Sequence, residues 1–447
     1  MSAADAAAEL ARVEAALDQR GPGRMVPDRE RIEALLDLLG NPQRAYPSIH
    51  LTGTNGKTST ARMVDALLRA FGLRVGRYTS PHLDSVTERI SIDGVPIETD
   101  KFVAAYDDVA PFADLLDAKN QDPITYFELT TATAFAAFAD TPVDVAVIEV
   151  GLGGEWDATN VIEAGVAVIT PIGLDHAELL GGSLAAIATE KAGIIHDGAT
   201  VVTAVQPAEA AEPLLRRAVE KDATVAREGM EFGVVGRTVA VGGQMLTLQG
   251  LGGVYDEIFI PLHGAYQAQN AAVALAAVEA FLGAGADRRL DIDAVREGFA
   301  QATAPARLER VRTSPTVLVD ASHNPAGMAA TVEALGEAFS FSRLVAVVAV
   351  LADKDARGIL ELLEPVVDAV VVTQNSSPRA LPADDLAALA VDVFGTDRVE
   401  VSPRLDDAIE SAVTIAEEEG AELISAVGIL VTGSVVTAAD ARRLLRK

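Results

Sequence analysis

Cysteine is absent from this 447-residue chain, which removes disulfides, thiolate zinc sites, iron–sulfur clusters and cysteine nucleophiles together. Cations are scarce: 36 Lys+Arg stand against 65 Asp+Glu, a formal net charge of −29. So acidic a chain repels phosphodiester backbones, which argues against nucleic-acid binding. Any acidic small molecule must be met by cations or metal ions gathered locally. Long hydrophobic runs are missing as well. The longest, Leu344 to Ala352, is nine residues and suits a buried strand rather than a membrane span. The GxGxxG fingerprint of dinucleotide redox enzymes does not occur, and there is no tandem repeat or low-complexity linker. The first residues (MSAADAAAELARVEAALDQRG) lack the basic start and continuous apolar stretch of a secretory signal. Leu10, Val13, Ala16 and Leu17 recur at helical spacing, so an amphipathic helix and a cytoplasmic location without membrane partners are expected.

What the chain does have is core material: 49% hydrophobic and 23% charged residues describe a globular protein. Its length argues for two domains. From Ile49 onward, short apolar runs (Ile49–Leu51, Val75–Tyr78, Val145–Val150, Val166–Ile169, Val201–Val205) alternate with helical patterns near 57–71, 99–117, 124–139 and 183–192. That rhythm predicts a parallel sheet covered on both faces. Residues 231–262 alternate and are punctuated by glycine, which predicts an antiparallel excursion, followed by helices over Gln267 to Phe281 and near 291–301. After Ala302-Thr303-Ala304-Pro305 a second rhythm begins. Its strands fall at Val317–Val319, Leu344–Val350, Ala369–Thr373, Val399–Val401 and Gly428–Thr432, with helices near 325–339, 355–365, 382–394, 405–419 and 435–446. The expectation is an α/β chain: a nucleotide-binding domain with a parallel sheet over 1–304, and a smaller Rossmann-like doubly wound domain over 305–447.

Chemistry collects first at Leu51-Thr52-Gly53-Thr54-Asn55-Gly56-Lys57-Thr58. A glycine loop leaving a strand and opening a helix aims backbone N–H groups and a helix N-terminus at one spot, which suits phosphate. Lys57 would neutralise terminal phosphates and the Thr58 hydroxyl would bind Mg²⁺. The spacing is GxxGK[ST], tighter than the common P-loop. Later strands end in polar groups: Ser80 and His82 after Tyr78, Glu149 within Val145–Val150, and Asp175-His176 beyond Ile169. In a parallel sheet all of these share the carboxyl edge, where open α/β sheets bind ligands. A carboxylate in an apolar strand end must be paired or coordinated. Alone, Glu149 reads equally well as a salt-bridge partner and His176 better as a hydrogen-bonded loop histidine; together with Ser80 they read as a metal set. Lys191, followed by Gly193, reads from the residues alone as a basic C-terminal helix turn with a glycine cap.

Together these segments resemble the Mur-ligase superfamily of ATP-dependent amide-bond-forming enzymes, and within it the folylpolyglutamate and dihydrofolate synthases. The resemblance is carried by GTNGKTS from Gly53, SPHL from Ser80, EVGLGG from Glu149, DATN from Asp157, LDH from Leu174 and EKAGII from Glu190. ARLE from Ala306, DASHNP from Asp320, DKD from Asp353, SPRALPADDL from Ser377 and VTGS from Val431 continue it in family order. It implies a phosphate loop of Gly53, Thr54, Asn55, Gly56, Lys57 and Thr58, and two magnesium sites drawing on Thr58, Ser80, Glu149, His176 and a carbamylated Lys191. It implies adenine, phosphate and ribose contacts from Asn270, Arg307 and Asp320, and glutamate binding and chemistry from His323 and Ser434. A pterin pocket is implied at His82, Thr125, Tyr126, Phe127, Trp156, Asp157 and Ala158. Read without the resemblance, Arg307 could be an interdomain salt bridge, Asp320 a helix N-cap, Asp157 a turn residue and Phe127 part of a core stripe with Ala134 and Phe138. Two departures stand out. Ala321-Ser322 replaces the family's frequent Gly-Ala, and Glu155 lies where a basic residue is common.

The activity so implied activates a pterin carboxylate with ATP as an acyl phosphate, which the amine of L-glutamate then attacks. Lys57, Arg307 and Mg²⁺ would offset the growing charge. Closure of the two domains is expected, to keep water from the acyl phosphate. Small-molecule substrates (a pterin or folate, L-glutamate and ATP) and a monomer are expected. Two alternatives compete. A wall-synthesis ligase of the same superfamily would need a separate sugar-nucleotide domain ahead of the phosphate loop, for which residues 1–52 leave no room. A nucleotide switch would hydrolyse ATP without regard to glutamate.

Overall fold

The computed structural model describes residues 3–21, 23–119, 122–285, 288–417 and 427–445. The chain divides into two compact units: residues 1–261 with 267–303, and residues 262–266 with 304–447.

The first unit is built on an eight-stranded sheet. Its strands are β1 (Ser48–Thr52), β2 (Val75–Tyr78), β3 (Ile90–Ile92), β4 (Val95–Pro96), β5 (Val145–Glu149), β6 (Val166–Ile169), β7 (Thr200–Thr203) and β8 (Thr224–Arg227). They lie in the order β4-β3-β2-β5-β1-β6-β7-β8, parallel throughout except for the antiparallel β3 and β4 at one edge. All five residues of β1 and of β5 are buried, as strands covered on both faces must be. The helix Lys57–Ala70 shows why the chain crosses over here. Ala61, Val64, Leu67 and Leu68 repeat at helical spacing and are all buried.

The expected strands and helices from Ile49 to Ala192 are present, within about two residues at their ends. The sequence reading did not name β3, β4, β8 or the helices Glu30–Leu38 and Ala208–Glu220. The β3–β4 hairpin had a local signal: Asp93 and Gly94 are an Asp-Gly turn with φ 51 and 83, as a tight hairpin of this twist requires. The antiparallel excursion is three strands, β9 (Gly233–Ala240), β10 (Gly243–Gln249) and β11 (Val254–Ile260), in the order β11-β10-β9.

The second unit holds a six-stranded sheet: β12 (Glu309–Thr313), β13 (Thr316–Val319), β14 (Arg343–Val348), β15 (Ala369–Val372), β16 (Val399–Val401) and β17 (Val427–Thr432). The order is β12-β13-β17-β14-β15-β16, parallel apart from the β12 edge. Every expected strand is there. β12 was not foreseen, because Glu-Arg-Val-Arg-Thr carries no apolar run. Of the helices expected at 405–419 and 435–446, the structure shows Leu405–Glu417 and Val435–Leu445, and residues 418, 419 and 446 lie outside the described residues. Among the described residues no helix is long and apolar enough to cross a membrane.

Candidate functional site

Strand order gathers the site. β2, β5, β1 and β6 are consecutive neighbours, all parallel, so the segments that follow them emerge along one edge. These segments carry Ser80, Glu149, the 53–58 loop and His176, respectively.

The loop itself is held by its own chain. The N–H groups of Thr54 and Asn55 both donate to the Pro171 carbonyl, at 2.9 and 3.3 Å, and the Thr54 hydroxyl bonds to Gly173 at 3.0 Å. Two of the loop's N–H groups thus anchor it to the segment after β6. The donors left to a phosphate are those of the helix start, where the first N–H groups have no intrahelical acceptor. Gly53 (φ 147) and Gly56 (φ 88) are required as glycines. A Cβ on Gly53 would fall 1.9 Å from Thr170 Oγ1, and one on Gly56 2.5 Å from Asn270 Oδ1. Asn270, buried in the helix Ala265–Leu282, is therefore brought against the loop, and its Nδ2 donates to Gln267 Oε1 at 3.1 Å.

Two lysines converge on that loop. Lys57 Nζ donates to the carbonyls of Gly53 and Thr54, at 2.9 and 3.2 Å, and Lys191 Nζ donates to the same Gly53 carbonyl at 2.9 Å. Lys191 does stand in the last turn of the helix Leu184–Ala192, as read from the sequence, but it is only 3% exposed. Burial, with the charge of Lys57 second, pulls its pKa down to about 7. Gly193 is the C-cap of that helix, as expected, in a right-handed conformation. Its φ is −57, and glycine is needed because a Cβ would sit 2.3 Å from Glu155 Cα.

The Thr58 hydroxyl lies within hydrogen-bond distance of both oxygens of Glu149, at 2.8 and 3.0 Å, and Glu149 is 1% exposed. These two expected metal residues are thus in contact. His176 stands at the start of the short helix Ala177–Leu180 with a positive φ of 50, and its Nε2 is 4.0 Å from Asp175 Oδ1. Among the described residues no three His, Asp or Glu side chains are close enough to hold a metal, so a cation here would rely on hydroxyl oxygens as well.

The expected pterin residues separate into two kinds. Thr125 is a helix N-cap in a capping box with Glu128, whose carboxylate is also paired with buried Arg31 at 2.8 Å. Asp157 is buried and fully engaged: Leu152 N and Thr159 N donate to it at 2.9 Å and the Thr159 hydroxyl at 2.5 Å. Burial raises its pKa against the pull of those donors. The turn-residue reading of Asp157 therefore has direct structural grounds. Phe127 packs on the core with its ring centroid 6.0 Å from that of Tyr78, as the core reading anticipated. Trp156 and Ala158 lie on the same loop as Asp157, and Trp156 N donates to Glu190 Oε1 at 3.2 Å. Glu155 pairs with Arg217 at 3.3 Å. Tyr126 and His82, from separate segments, both meet Arg89, which the sequence reading missed. His50 was missed too: wholly buried in β1, its Nε2 meets Thr159 Oγ1 at 2.8 Å.

In the second unit, Asp320 at the end of β13 accepts from Leu308 N and Ser322 N, each at 2.8 Å, and from the Thr331 hydroxyl at 3.1 Å. It is not a helix N-cap; that place belongs to Asn324. Arg307 lies between Ala306 (φ 54) and Leu308 (φ 48), two non-glycine residues in the left-handed region. Such backbone persists where the surroundings impose it, and clusters at functional sites. Arg307 Nη1 donates to the Ala306 carbonyl at 3.0 Å, and His323 Nδ1 lies 3.0 Å from the Ala321 carbonyl. Ser434 is buried, and its hydroxyl accepts from Asn375 Nδ2 at 3.1 Å and Thr437 N at 2.9 Å. Asn375 carried no sequence signal.

Residues 51–278 match the Mur ligase middle domain and residues 306–434 the Mur ligase glutamate ligase domain. The chain is 55% identical to the dihydrofolate synthase/folylpolyglutamate synthase of Mycobacterium tuberculosis, over 98% of this chain and 94% of that protein. A Mycobacterium tuberculosis folylpolyglutamate synthase solved with ADP superposes with a TM-score of 0.95 and 55% identity, covering 99% of both chains. The E. coli FolC, solved with DHPP and ADP, superposes with a TM-score of 0.84 and 29% identity, covering 99% of this chain and 98% of that one.

Proposed function

The chain belongs to the Mur ligase family, in its folylpolyglutamate and dihydrofolate synthase branch, and from that premise we propose that it uses ATP to join L-glutamate to the carboxylate of a pterin substrate. The carboxylate is that of dihydropteroate, of a reduced folate, or of both in turn. A carboxylate oxygen attacks the γ-phosphorus in line, and ADP leaves. The glutamate amine attacks the acyl carbon and gives up its proton, and phosphate departs from the tetrahedral intermediate.

The observation that carries this reading is the meeting of Lys57 and Lys191 on the Gly53 carbonyl, in a loop whose Thr58 contacts buried Glu149. Two ammonium groups at one carbonyl repel each other, so the arrangement favours either an incoming anion or loss of charge from one lysine. Lys57 is the group for the ATP phosphates, beside the helix N-terminus. Lys191, with its pKa near 7, has a neutral fraction at physiological pH able to add CO₂ and become a carbamate, releasing a proton. Magnesium, when bound, supplies charge neutralisation and Lewis acidity to the phosphoryl group. The residues that would hold it are Thr58, Ser80, Glu149 and His176, with the Lys191 carbamate at a second ion. The buried carboxylate and its hydroxyl neighbour are hard oxygen donors of the kind such a cation takes. We assign Asn270, Arg307 and Asp320 to adenine, phosphate and ribose, and His323 and Ser434 to the glutamate step, with an ATP-binding domain over 1–304 and a glutamate ligase domain over 305–447. The enzyme is taken to act as a cytoplasmic monomer.

The test is phosphate release with ATP, Mg²⁺ and L-glutamate, adding dihydropteroate or tetrahydrofolate in turn. Release should require one of these pterins; release that needs neither would leave an ATPase and remove the ligase.

A further inference from the structure

Arg89 is a buried cation that no acid pairs with among the described residues. Its backbone is fixed beside the strand end that leads to Ser80: Thr79 N donates to the Arg89 carbonyl at 3.0 Å, where the short turn Val86–Arg89 runs into β3. That turn is ordered by Glu88, whose carboxylate accepts from Leu83 N at 2.9 Å and Asp84 N at 3.0 Å. Arg89 Nε donates to His82 Nδ1 at 3.0 Å, and the guanidinium carbon lies 5.1 Å from the centroid of the Tyr126 ring. The residue is only 9% exposed. Glu88, the adjacent carboxylate, is turned to its own backbone, and among the described residues no Asp or Glu pairs with Arg89.

A guanidinium taken out of water needs compensation by an anion and by acceptors for its five N–H groups. His82 takes Nε–H and the Tyr126 ring offers its negative face. The two Nη groups make no hydrogen bond among the described residues, and they are not enclosed either, since the sealed and unsatisfied side-chain atoms of this unit lie elsewhere. The fork is therefore not sealed off, and it stands beside His82 and Tyr126, which come from separate segments and were both expected to touch the pterin substrate.

We propose that Arg89 binds a carboxylate of the pterin substrate through its Nη fork and so selects substrates that carry that charge. The inference rests on the ligase reading above and adds to it a residue that distinguishes a carboxylated pterin from a bare ring. His82 and Tyr126 hold the fork in place, and Glu88 fixes the turn that delivers it. A planar fork matches a carboxylate in two parallel bonds, which the point charge of lysine does not reproduce.

The experiment measures equilibrium binding, without ATP, of a reduced folate and of 6-methylpterin, which has no carboxylate, to the full chain and to its R89Q and R89K variants. Loss of a charge-assisted contact predicts folate affinity lower by about 10- to 100-fold in R89Q, with R89K between it and the parent. Affinity for 6-methylpterin and the KM for ATP should stay within about twofold. Unchanged folate affinity in R89Q overturns the proposal, and so does an equal loss for both ligands, which would make Arg89 a support for the pocket's shape. A parent chain that binds folate normally but never couples it to glutamate would defeat the ligase reading while leaving Arg89 intact; a parent that binds neither pterin defeats both.

Discussion

Two loops at the same sheet edge handle polar groups in opposite ways. The 53–58 loop crowds charges of its own chain together: two lysines share the Gly53 carbonyl, and the Thr58 hydroxyl meets the buried carboxylate of Glu149. The 151–160 loop is satisfied by hydrogen bonds within itself and to the Glu190–Gly193 segment. Asp157 is filled by donors from its own loop, and Asn160 Nδ2 ties Glu155 and Gly193 together through their carbonyls, each at 3.1 Å. A buried polar group satisfied by hydrogen bonds stabilises a shape, whereas like charges crowded together with a shifted pKa mark a place where chemistry is done. The first loop is reactive by this measure and the second is scaffolding.

Breaking the reactive loop should give the largest effect. Glu149→Gln keeps size and removes charge, so turnover should fall by on the order of a hundredfold or more while the thermal unfolding midpoint barely moves. Near-normal turnover would return Glu149 to a structural role. Lys191→Ala should also inactivate, and small carboxylates should restore part of the rate. In the parent, uptake of ¹³C-labelled bicarbonate at Lys191, followed by NMR near neutral pH, should increase as pH rises through about 7, because only the neutral amine reacts. A signal independent of pH would count against the carbamate.

On the scaffolding side the effects should appear in stability. Asp157→Asn leaves one acceptor oxygen for three N–H and O–H donors and should lower unfolding stability by about 1–3 kcal/mol in a denaturant titration. A loss confined to pterin affinity, at unchanged stability, would move Asp157 to the reactive class. The smallest effect concerns His50. The Thr159 hydroxyl gives its one proton to Asp157, so His50 Nε2 is the donor to Thr159, and burial keeps the ring neutral. Burial lowers the His50 pKa to about 3, so between about 3 and 6.5 the unfolded chain binds a proton that the folded one does not. Stability contributed by this site is therefore full above 6.5 and is lost as pH falls toward 3. His50→Gln should flatten that part of the stability profile, as read from unfolding midpoints at pH 7 and pH 4.5.

The parallel core was legible because buried strands such as Val145–Glu149 and Val166–Ile169 are nearly unbroken apolar runs. β12 and β8 were not, since edge strands half in water carry no such run. The phosphate loop was legible from its glycines and Lys57, whose spacing is set by local backbone geometry. Arg89 and His50 were not, because each gets its meaning from partners on other segments: Arg89 from Tyr126, 37 residues on, and His50 from Thr159, 109 residues on.

By itself, then, the order of residues determined which segments become strands, where the chain must turn tightly and which groups carry charge, all consequences of local propensity and hydrophobic period. Only the folded arrangement decided whether a given charge is spent within its own loop or left over. That depends on which distant donors reach it, and Lys191, whose ordinary helix-end sequence conceals a buried amine near neutrality, is where the two diverge most.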